Sequence, residues 1–229
     1  MTGAVGEQLA EGVGRIPGFV NAYVFQDASG RYLIDTTMSR RARPVVKAFE
    51  RAGVPLSEVS AIVLTHRHVD HIGGAAFLDG VAPGKVACHV EDAPVVEGKQ
   101  KVPMSWLMRL IARPRPVAVP TVLRDGDLVG PFRVVSVPGH TPGEIALYHP
   151  GRRLLFSGDS VVERRGTLTL PGVKIATDIG QAIRSLSILR GLEVELLLPG
   201  HGVPVRQDVA GRLDELITRA PQEFLHPRG

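Results

Sequence analysis

Four potential metal ligands fall within six residues of one another, in the segment Thr65-His66-Arg67-His68-Val69-Asp70-His71. Imidazole nitrogens and carboxylate oxygens together suit zinc, iron or manganese, and the absence of cysteine ligands argues against a purely structural zinc site. In an extended segment His66 and His68 project to the same side and can share one ion. His71 follows Asp70 directly and points elsewhere unless the backbone turns sharply. The cluster therefore favours two ions over one.

Three further candidates each follow an apolar run that is typical of a buried strand. They are His140 in Pro138-Gly139-His140, Asp159 in Ser157-Gly158-Asp159 and His201 in Pro199-Gly200-His201. Each turn alone is a weak signal, whereas their joint occurrence in this order is a strong one. With the first cluster they make seven ligands, which is too many for one tetrahedral zinc. Two metal ions account for the number.

The elements that must position these residues are mostly strands. Apolar and β-branched runs predict strands over Phe19–Phe25, Tyr32–Asp35, Ala61–Thr65, Lys85–Val90, Val117–Leu123, Phe132–Val137, Glu144–Tyr148, Arg153–Phe156 and Val194–Leu198. Helical spacing and end signals predict helices over Pro44–Ala52, Ile72–Leu78, Asp178–Arg190 and Asp208–Ala220. Pairs of strands covered by helices predict a layered α/β (α+β) sandwich.

Composition places the chain among ordinary globular proteins. It has 229 residues, 44% hydrophobic and 22% charged, with a formal net charge of +4. This length predicts one domain over residues 1–229. The single cysteine, Cys88, fits a reducing compartment and a small buried side chain. We expect a cytoplasmic protein with a small-molecule substrate and neither a nucleic-acid nor a membrane partner, while a homodimer stays open.

One segment does not follow the alternation of predicted strands and helices. Residues 97–120 combine basic and apolar side chains with four prolines. A long connection with its own short amphipathic helix is often a lid or a binding loop, and the alternative is a helix packed on the sheet or at a subunit contact. As a lid, it would offer Met104, Trp106, Leu107 and Met108 to an apolar or acyl-bearing substrate.

The ordered motifs resemble those of the metallo-β-lactamase-fold hydrolase superfamily, and the resemblance covers roughly Phe19 to Pro204. That family's signature is His-x-His-x-Asp-His, then a separate His, an Asp and a last His. The resemblance implies a four-layer αββα sandwich with the site at one edge of the two sheets. Among its branches, the chain is most similar to small stand-alone hydrolases of the glyoxalase II-like and lactonase-like kind.

The same resemblance implies a role for each ligand. A first metal would be held by His66, His68 and His140, a second by Asp70, His71 and His201, and Asp159 would bridge them. Asp35, in Leu33-Ile34-Asp35-Thr36, resembles the family's first motif and would support the ligands from behind without binding metal.

Two such cations lower the pKa of a shared water toward ~7 and polarise a carbonyl or phosphoryl oxygen. This chemistry predicts a dinuclear metallo-hydrolase, with zinc first and iron or manganese also suited, that cleaves a small ester, lactone or thioester. Asp70 could additionally orient the nucleophile or shuttle a proton. Glutathione thioesters fit less well, because Glu144 stands where glyoxalase II-type enzymes usually have a histidine.

A second hypothesis assigns the chain to another reaction class. Persulfide dioxygenases share this fold and much of the motif set, but they bind one iron through two histidines and an aspartate. The identity and stoichiometry of the metal distinguish that oxidoreductase from a dinuclear hydrolase.

Overall fold

The computed structural model describes residues 4–102, 114–172 and 175–225. The chain falls into two compact units, Met1–Leu123 and Arg124–Gly229. Each unit is built on its own mixed β-sheet and has its own apolar core. The expectation of a single domain over residues 1–229 stays a prediction.

The sheet of the first unit has seven strands, and each strand pairs with the next one along the chain. They are β1 (Glu7–Ala10), β2 (Val13–Ile16), β3 (Ala22–Asp27), β4 (Gly30–Ile34), β5 (Ala61–Leu64), β6 (Val86–His89) and β7 (Thr121–Leu123). Strands β1 to β4 form an antiparallel meander, and β4 to β7 pair in parallel. The carboxyl ends of β4, β5 and β6 therefore lie at one edge of this sheet.

The sheet of the second unit has five strands in the order β14-β11-β10-β9-β8. The second unit's strands are β8 (Leu128–Val129), β9 (Phe132–Ser136), β10 (Ile145–His149), β11 (Leu154–Gly158), β14 (Leu196–Pro199) and the separate hairpin of β12 (Val162–Arg164) and β13 (Thr167–Thr169). Strand β10 is antiparallel to both β9 and β11, and β14 is parallel to β11. Strands β9, β11 and β14 thus run in one direction and end at one edge.

Helices cover these sheets with their apolar faces. They are α1 (Arg43–Ala52), α2 (Val69–Ile72), α3 (Ala75–Val81), α4 (Ala93–Val96), α5 (Ile179–Arg190) and α6 (Val209–Ala220), with shorter helical turns at Leu56–Glu58, Pro150–Arg152 and Pro221–Leu225. Helix α1 buries Val45 and Phe49 in the first core and ends at Gly53, whose φ of 65° suits glycine. Asp178 and Asp208 cap α5 and α6 by accepting backbone N–H bonds.

Most predicted elements are present, with ends shifted by a few residues. The predicted helix over Ile72–Leu78 is instead two helices, α2 and α3, which meet at Gly73 and Gly74. A Cβ on Gly73 would lie 2.6 Å from the carbonyl oxygen of Met38, and one on Gly74 would lie 2.7 Å from that of Thr36. The two glycines let the loop after β4 approach this helical region closely.

Five short strands of the described residues were not predicted. They are β1, β2, β8, β12 and β13, which have two to four residues each. Strand β1 and the exposed ends of the β12–β13 hairpin lack the apolar runs that identified the other strands, so their pairing depends on neighbours rather than on local pattern.

No helix in the described part of the chain is long and apolar enough to cross a membrane. The cytoplasmic location stays a prediction.

Candidate metal centre

The first ligand cluster follows β5 and continues directly into α2. The ring centroids of His66 and His68 lie 4.8 Å apart, in an edge-to-face arrangement. Helix α2 begins after His68 and turns the backbone sharply, so that the ring centroid of His71 lies 4.0 Å from that of His66. Asp70 Oδ2 lies 3.9 Å from His71 Nε2. A single helical turn thus brings together four side chains that an extended segment would have separated.

Asp35 supports this cluster from the end of the neighbouring strand β4. Its carboxylate accepts hydrogen bonds from the Thr65 backbone N–H (2.9 Å) and from the Thr65 hydroxyl (2.9 Å). Its Oδ2 also lies 2.8 Å from His71 Nδ1. Asp35 is 2% exposed and has a φ of 60°, a left-handed conformation that aspartate tolerates better than most residues.

The Asp35–His71 contact fixes which ring nitrogen can bind a metal. A carboxylate at Nδ1 stabilises the tautomer with its proton on Nδ1, which leaves the lone pair on Nε2. Metal-bound histidines usually donate their second ring nitrogen to a carboxylate or carbonyl in this way. Thr65 Oγ1 similarly lies 3.1 Å from His66 Nδ1. Both rings are buried, so the surrounding protein holds them in place.

In the second unit, the turns after β9, β11 and β14 bring three ligands together around one oxygen atom. Asp159 Oδ2 lies 3.6 Å from His140 Nε2 and 3.3 Å from His201 Nε2. Two ligand atoms on one tetrahedral zinc, each about 2.0–2.1 Å from the ion, lie roughly 3.3 Å apart. Both spacings are therefore close to those of two ligand atoms on the same ion.

Backbone hydrogen bonds hold the His140 turn in position. The carbonyl oxygen of His140 accepts from the Thr177 backbone N–H (3.0 Å) and from its hydroxyl (3.1 Å). The Asp178 N–H donates to Gly139 O at 2.8 Å. A Cβ on Gly139, whose φ is 141°, would lie 2.2 Å from Ala182 N, so the turn packs directly against the start of α5.

Two glutamates hold the other ligand turns of this unit. Glu144, which is fully buried, accepts a hydrogen bond from the Asp159 backbone N–H at 2.7 Å. Glu163 donates its own N–H to the carbonyl oxygen of His201 (3.0 Å), and its carboxylate accepts from the Val203 N–H (2.8 Å) and from the Gly166 N–H.

The donor set fits divalent cations. The seven predicted ligands are all histidines and aspartates, four of them in the first unit and three in the second. Neutral imidazole and carboxylate suit zinc, iron and manganese, and the His71 tautomer that Asp35 favours carries its lone pair on Nε2, as metal binding requires. The burial of Cys88 raises the pKa of its thiol, so it is a small core side chain rather than a ligand or nucleophile.

Sequence reasoning missed several supporting residues of the centre. Thr65, Asp92 and Glu163 were not singled out, and Glu144 was noted only for its difference from relatives. Asp92 follows the predicted strand Lys85–Val90, so its position at a strand end was a usable signal. The proposed substrate contacts Met104, Trp106, Leu107 and Met108 lie outside the described residues and stay predictions.

Comparison with known proteins gives one consistent family. Residues 15–201 match the family described as "Metallo-beta-lactamase superfamily". The probable metallo-hydrolase YflN of Bacillus subtilis is 30% identical, with 93% of each chain covered. The human acyl-coenzyme A thioesterase MBLAC2 is 33% identical over 61% of this chain and 54% of its own length. The hydroxyacylglutathione hydrolase of Cereibacter sphaeroides is 34% identical over 65% of this chain and half of its own.

Solved structures agree in fold. The metallo-beta-lactamase family protein TTHA1429 of Thermus thermophilus has a TM-score of 0.75 at 26% identity, covering 93% of this chain and 80% of its own. TTHA1623, solved in a di-iron-bound form, has a TM-score of 0.68 at 29% identity, covering 85% and 93%. The predicted fold class, α/β with the metallo-β-lactamase fold, is confirmed. The chain belongs to the metallo-beta-lactamase superfamily of metallo-hydrolases.

Proposed function

We propose that this protein is a dinuclear metallo-hydrolase that cleaves a small ester, lactone or thioester. The first metal would be held by His66, His68 and His140, the second by Asp70, His71 and His201, with Asp159 between them. Zinc is the first choice of metal, and iron or manganese suits the same ligands.

The position of Asp159 carries the proposal. One of its oxygens lies within 3.6 Å of Nε2 of both His140 and His201, which the proposal assigns to different ions. A carboxylate oxygen in that position suits a bridge between two metals. The metal stoichiometry distinguishes this bridge from a single ion bound by Asp159 with one or both histidines.

When bound, the two ions would supply a nucleophile at neutral pH and polarise the scissile carbonyl. The chain's own residues would hold the site rigid for that reaction. Asp35 keeps the His71 ring in one tautomer and orientation, and Glu144 holds the backbone at Asp159. Asp70, at the start of α2 and partly exposed, is placed to orient the nucleophile or to carry a proton to the leaving group.

The relatives support a thioester as the first substrate class to test. MBLAC2 is described as an acyl-coenzyme A thioesterase, and the chain spans about half of that relative's length. The hydroxyacylglutathione hydrolase also acts on a thioester according to its name. We therefore place acyl-coenzyme A thioesters first, followed by glutathione thioesters, lactones and simple esters.

Elemental analysis of protein purified without added metal or chelator tests the metal content. We expect close to two ions per chain, and about one in Asp159→Asn because the bridge is weakened. Asp214→Asn is the matched control, since Asp214 is an exposed aspartate that pairs with Arg190 and no ligand. Hydrolysis of at least one thioester, lactone or ester should depend on the metal and be lost in Asp159→Asn but not in Asp214→Asn.

One set of results would favour the oxidoreductase hypothesis over the hydrolase hypothesis. Close to one iron per chain and little other metal, together with oxygen consumption on a persulfide substrate and no hydrolysis of the panel, would indicate a persulfide dioxygenase-like enzyme. The di-iron-bound form of TTHA1623 makes iron a metal worth measuring directly, although two irons per chain would still fit a dinuclear site.

A further inference from the structure

A buried ion pair lies behind the first ligand cluster. Asp92, which follows β6 and is fully buried, accepts a hydrogen bond from the Arg67 backbone N–H at 3.0 Å through Oδ2. Its Oδ1 lies 3.5 Å from Arg67 Nη1, and the Arg67 side chain is 9% exposed. One carboxylate therefore holds both the main chain and the charged side chain of the same residue.

Arg67 is the residue between two predicted ligands, His66 and His68. Along an extended backbone, alternate side chains project to opposite sides. With both histidine rings on one side, the guanidinium of Arg67 projects to the other, where Asp92 receives it. The parallel pairing of β5 with β6, which places Leu64 beside Cys88, brings the segments after these strands next to each other.

We propose that Asp92, through Arg67, is a positioning residue for His66 and His68, and hence for the first metal. This inference rests on the proposed metal centre. Asp92 binds the main chain midway between the two ligands, so it limits movement of both rings. Arg67 supplies the compensating charge without which a fully buried carboxylate would be costly.

The proposal divides the support of the ligand cluster between two buried aspartates. Asp35, at the end of β4, contacts the ring of His71, which belongs to the second metal of the proposed centre. Asp92, at the end of β6, contacts the backbone between His66 and His68. Loss of Asp92 should therefore weaken one metal site selectively, which a general loss of packing would not do.

The test measures the two zinc affinities by competition with a chromophoric chelator. We expect Asp92→Leu, which has no oxygen to accept the Arg67 N–H, to lower one affinity 10- to 100-fold, the range seen for residues that support metal ligands, and to leave the other within about threefold. In the cobalt-loaded protein, the paramagnetically shifted proton NMR signal of His71 Nδ1–H should persist. Its loss together with retention of the His66 and His68 signals would overturn the assignment.

Two further variants keep the result interpretable. Asp92→Leu leaves the Arg67 charge buried without its partner and could unfold the protein, so the double variant Arg67→Met with Asp92→Leu removes both charges and the acceptor and should show the same selective loss. Glu58→Gln is the control, because it breaks another ion pair of the same unit, to the buried Arg31 at the opposite end of β4, and should change neither affinity. Unchanged affinities in the double variant, or an equal loss at both sites, would overturn the proposal.

The experiment separates this inference from the proposed function. A wild-type protein that binds fewer than two ions would contradict the dinuclear centre before any variant is compared. A wild type with two ions and an Asp92→Leu variant with two unchanged affinities would contradict only the role of Asp92. Neither of these two conclusions requires that the substrate be known.

Discussion

The two units of the chain present metal ligands in different ways. In the first unit, four candidates lie in one continuous segment, and a buried carboxylate, Asp35, contacts the imidazole of His71 directly. In the second unit, the candidates come from three separate strand ends, and the hydrogen bonds that hold them go to their backbones. The Asp159 N–H donates to Glu144, and the His201 carbonyl oxygen accepts from Glu163.

This difference has a physical reason. The compact segment His66–His71 has its backbone positioned by β5, by α2 and, at Arg67, by Asp92, so what remains free is mainly the rotation of its rings. Turns at separate strand ends have less local structure, so their backbones must be held individually. We therefore expect substitutions of supporting residues in the first unit to alter the orientation of the rings and the metal affinity. In the second unit, such substitutions should displace the backbone of the ligand turns and also lower the free energy of unfolding.

The largest effect should come from Gly202→Ala in the second unit. Gly202 has a φ of 96°, and a Cβ there would lie 2.1 Å from the carbonyl oxygen of Glu163. We expect the free energy of unfolding to fall by about 3–5 kcal/mol and the ion beside His201 to be lost. Urea denaturation and elemental analysis would measure both.

Gly126→Ala is the matched control for that change. Gly126 also has a positive φ, 82°, but a Cβ there meets nothing within 4 Å. It should cost only about 1–2 kcal/mol from backbone strain and leave the metal content unchanged. Equal effects of the two substitutions would mean that the close approach to Glu163 does not matter.

Asp35→Asn should give the complementary result in the first unit. Asparagine tolerates the left-handed conformation of Asp35, so the fold should persist, whereas the charge that holds the His71 tautomer is lost. We expect a 10- to 100-fold loss of affinity for one metal, measured by chelator competition, with little change in stability. Asp79→Asn removes the charge of a half-buried carboxylate that accepts the Gly84 N–H (3.0 Å), and it should leave the affinity unchanged.

A smaller effect is expected at the cap of α5. Asp178→Ala removes the acceptor for the Gln181 N–H (2.8 Å) and should lower the free energy of unfolding by about 1 kcal/mol. Because Asp178 adjoins the Thr177 contacts to His140, we also expect a few-fold loss of metal affinity. Asp208→Ala removes the equivalent cap of α6 and should lower stability at least as much without changing metal affinity. If Asp178→Ala and Asp208→Ala lowered the metal affinity equally, the loss would come from lower stability of the whole unit and not from the backbone contacts beside His140.

The smallest effect concerns a surface pair away from the ligands. A hydrogen bond from Arg190 lowers the pKa of Asp214 below its ordinary value. The stability that this pair contributes is therefore present at neutral pH and is lost as the pH falls through the lowered pKa. Asp214→Asn should be slightly less stable than wild type at about pH 7 and equal to it at about pH 2, by urea denaturation. If the variant were still less stable than wild type at acid pH, the loss of stability would come from packing and not from the charge pair.

Much of the fold could be predicted because its strands carry strong local signals. Ala61–Leu64 and Leu196–Pro199 are apolar runs that end in recognisable turns, and α6 has an apolar face of Val209, Leu213 and Leu216. Where the pattern was weak, as in β1 and the β12–β13 hairpin, prediction failed. Those strands are stabilised mainly by pairing with neighbours, which a local pattern does not record.

The sequence by itself determined the identity, number and order of the seven candidate ligands, and the strand ends at which they lie. Ligand chemistry depends on residue type and spacing, and both can be read along the chain. Only the tertiary structure decided what supports those ligands. Asp35 is 36 residues from His71, and Asp92 is 25 residues from Arg67. Such pairs meet because parallel strands place their carboxyl ends at one edge of a sheet, and that adjacency depends on the pairing of whole strands rather than on any local run of residues.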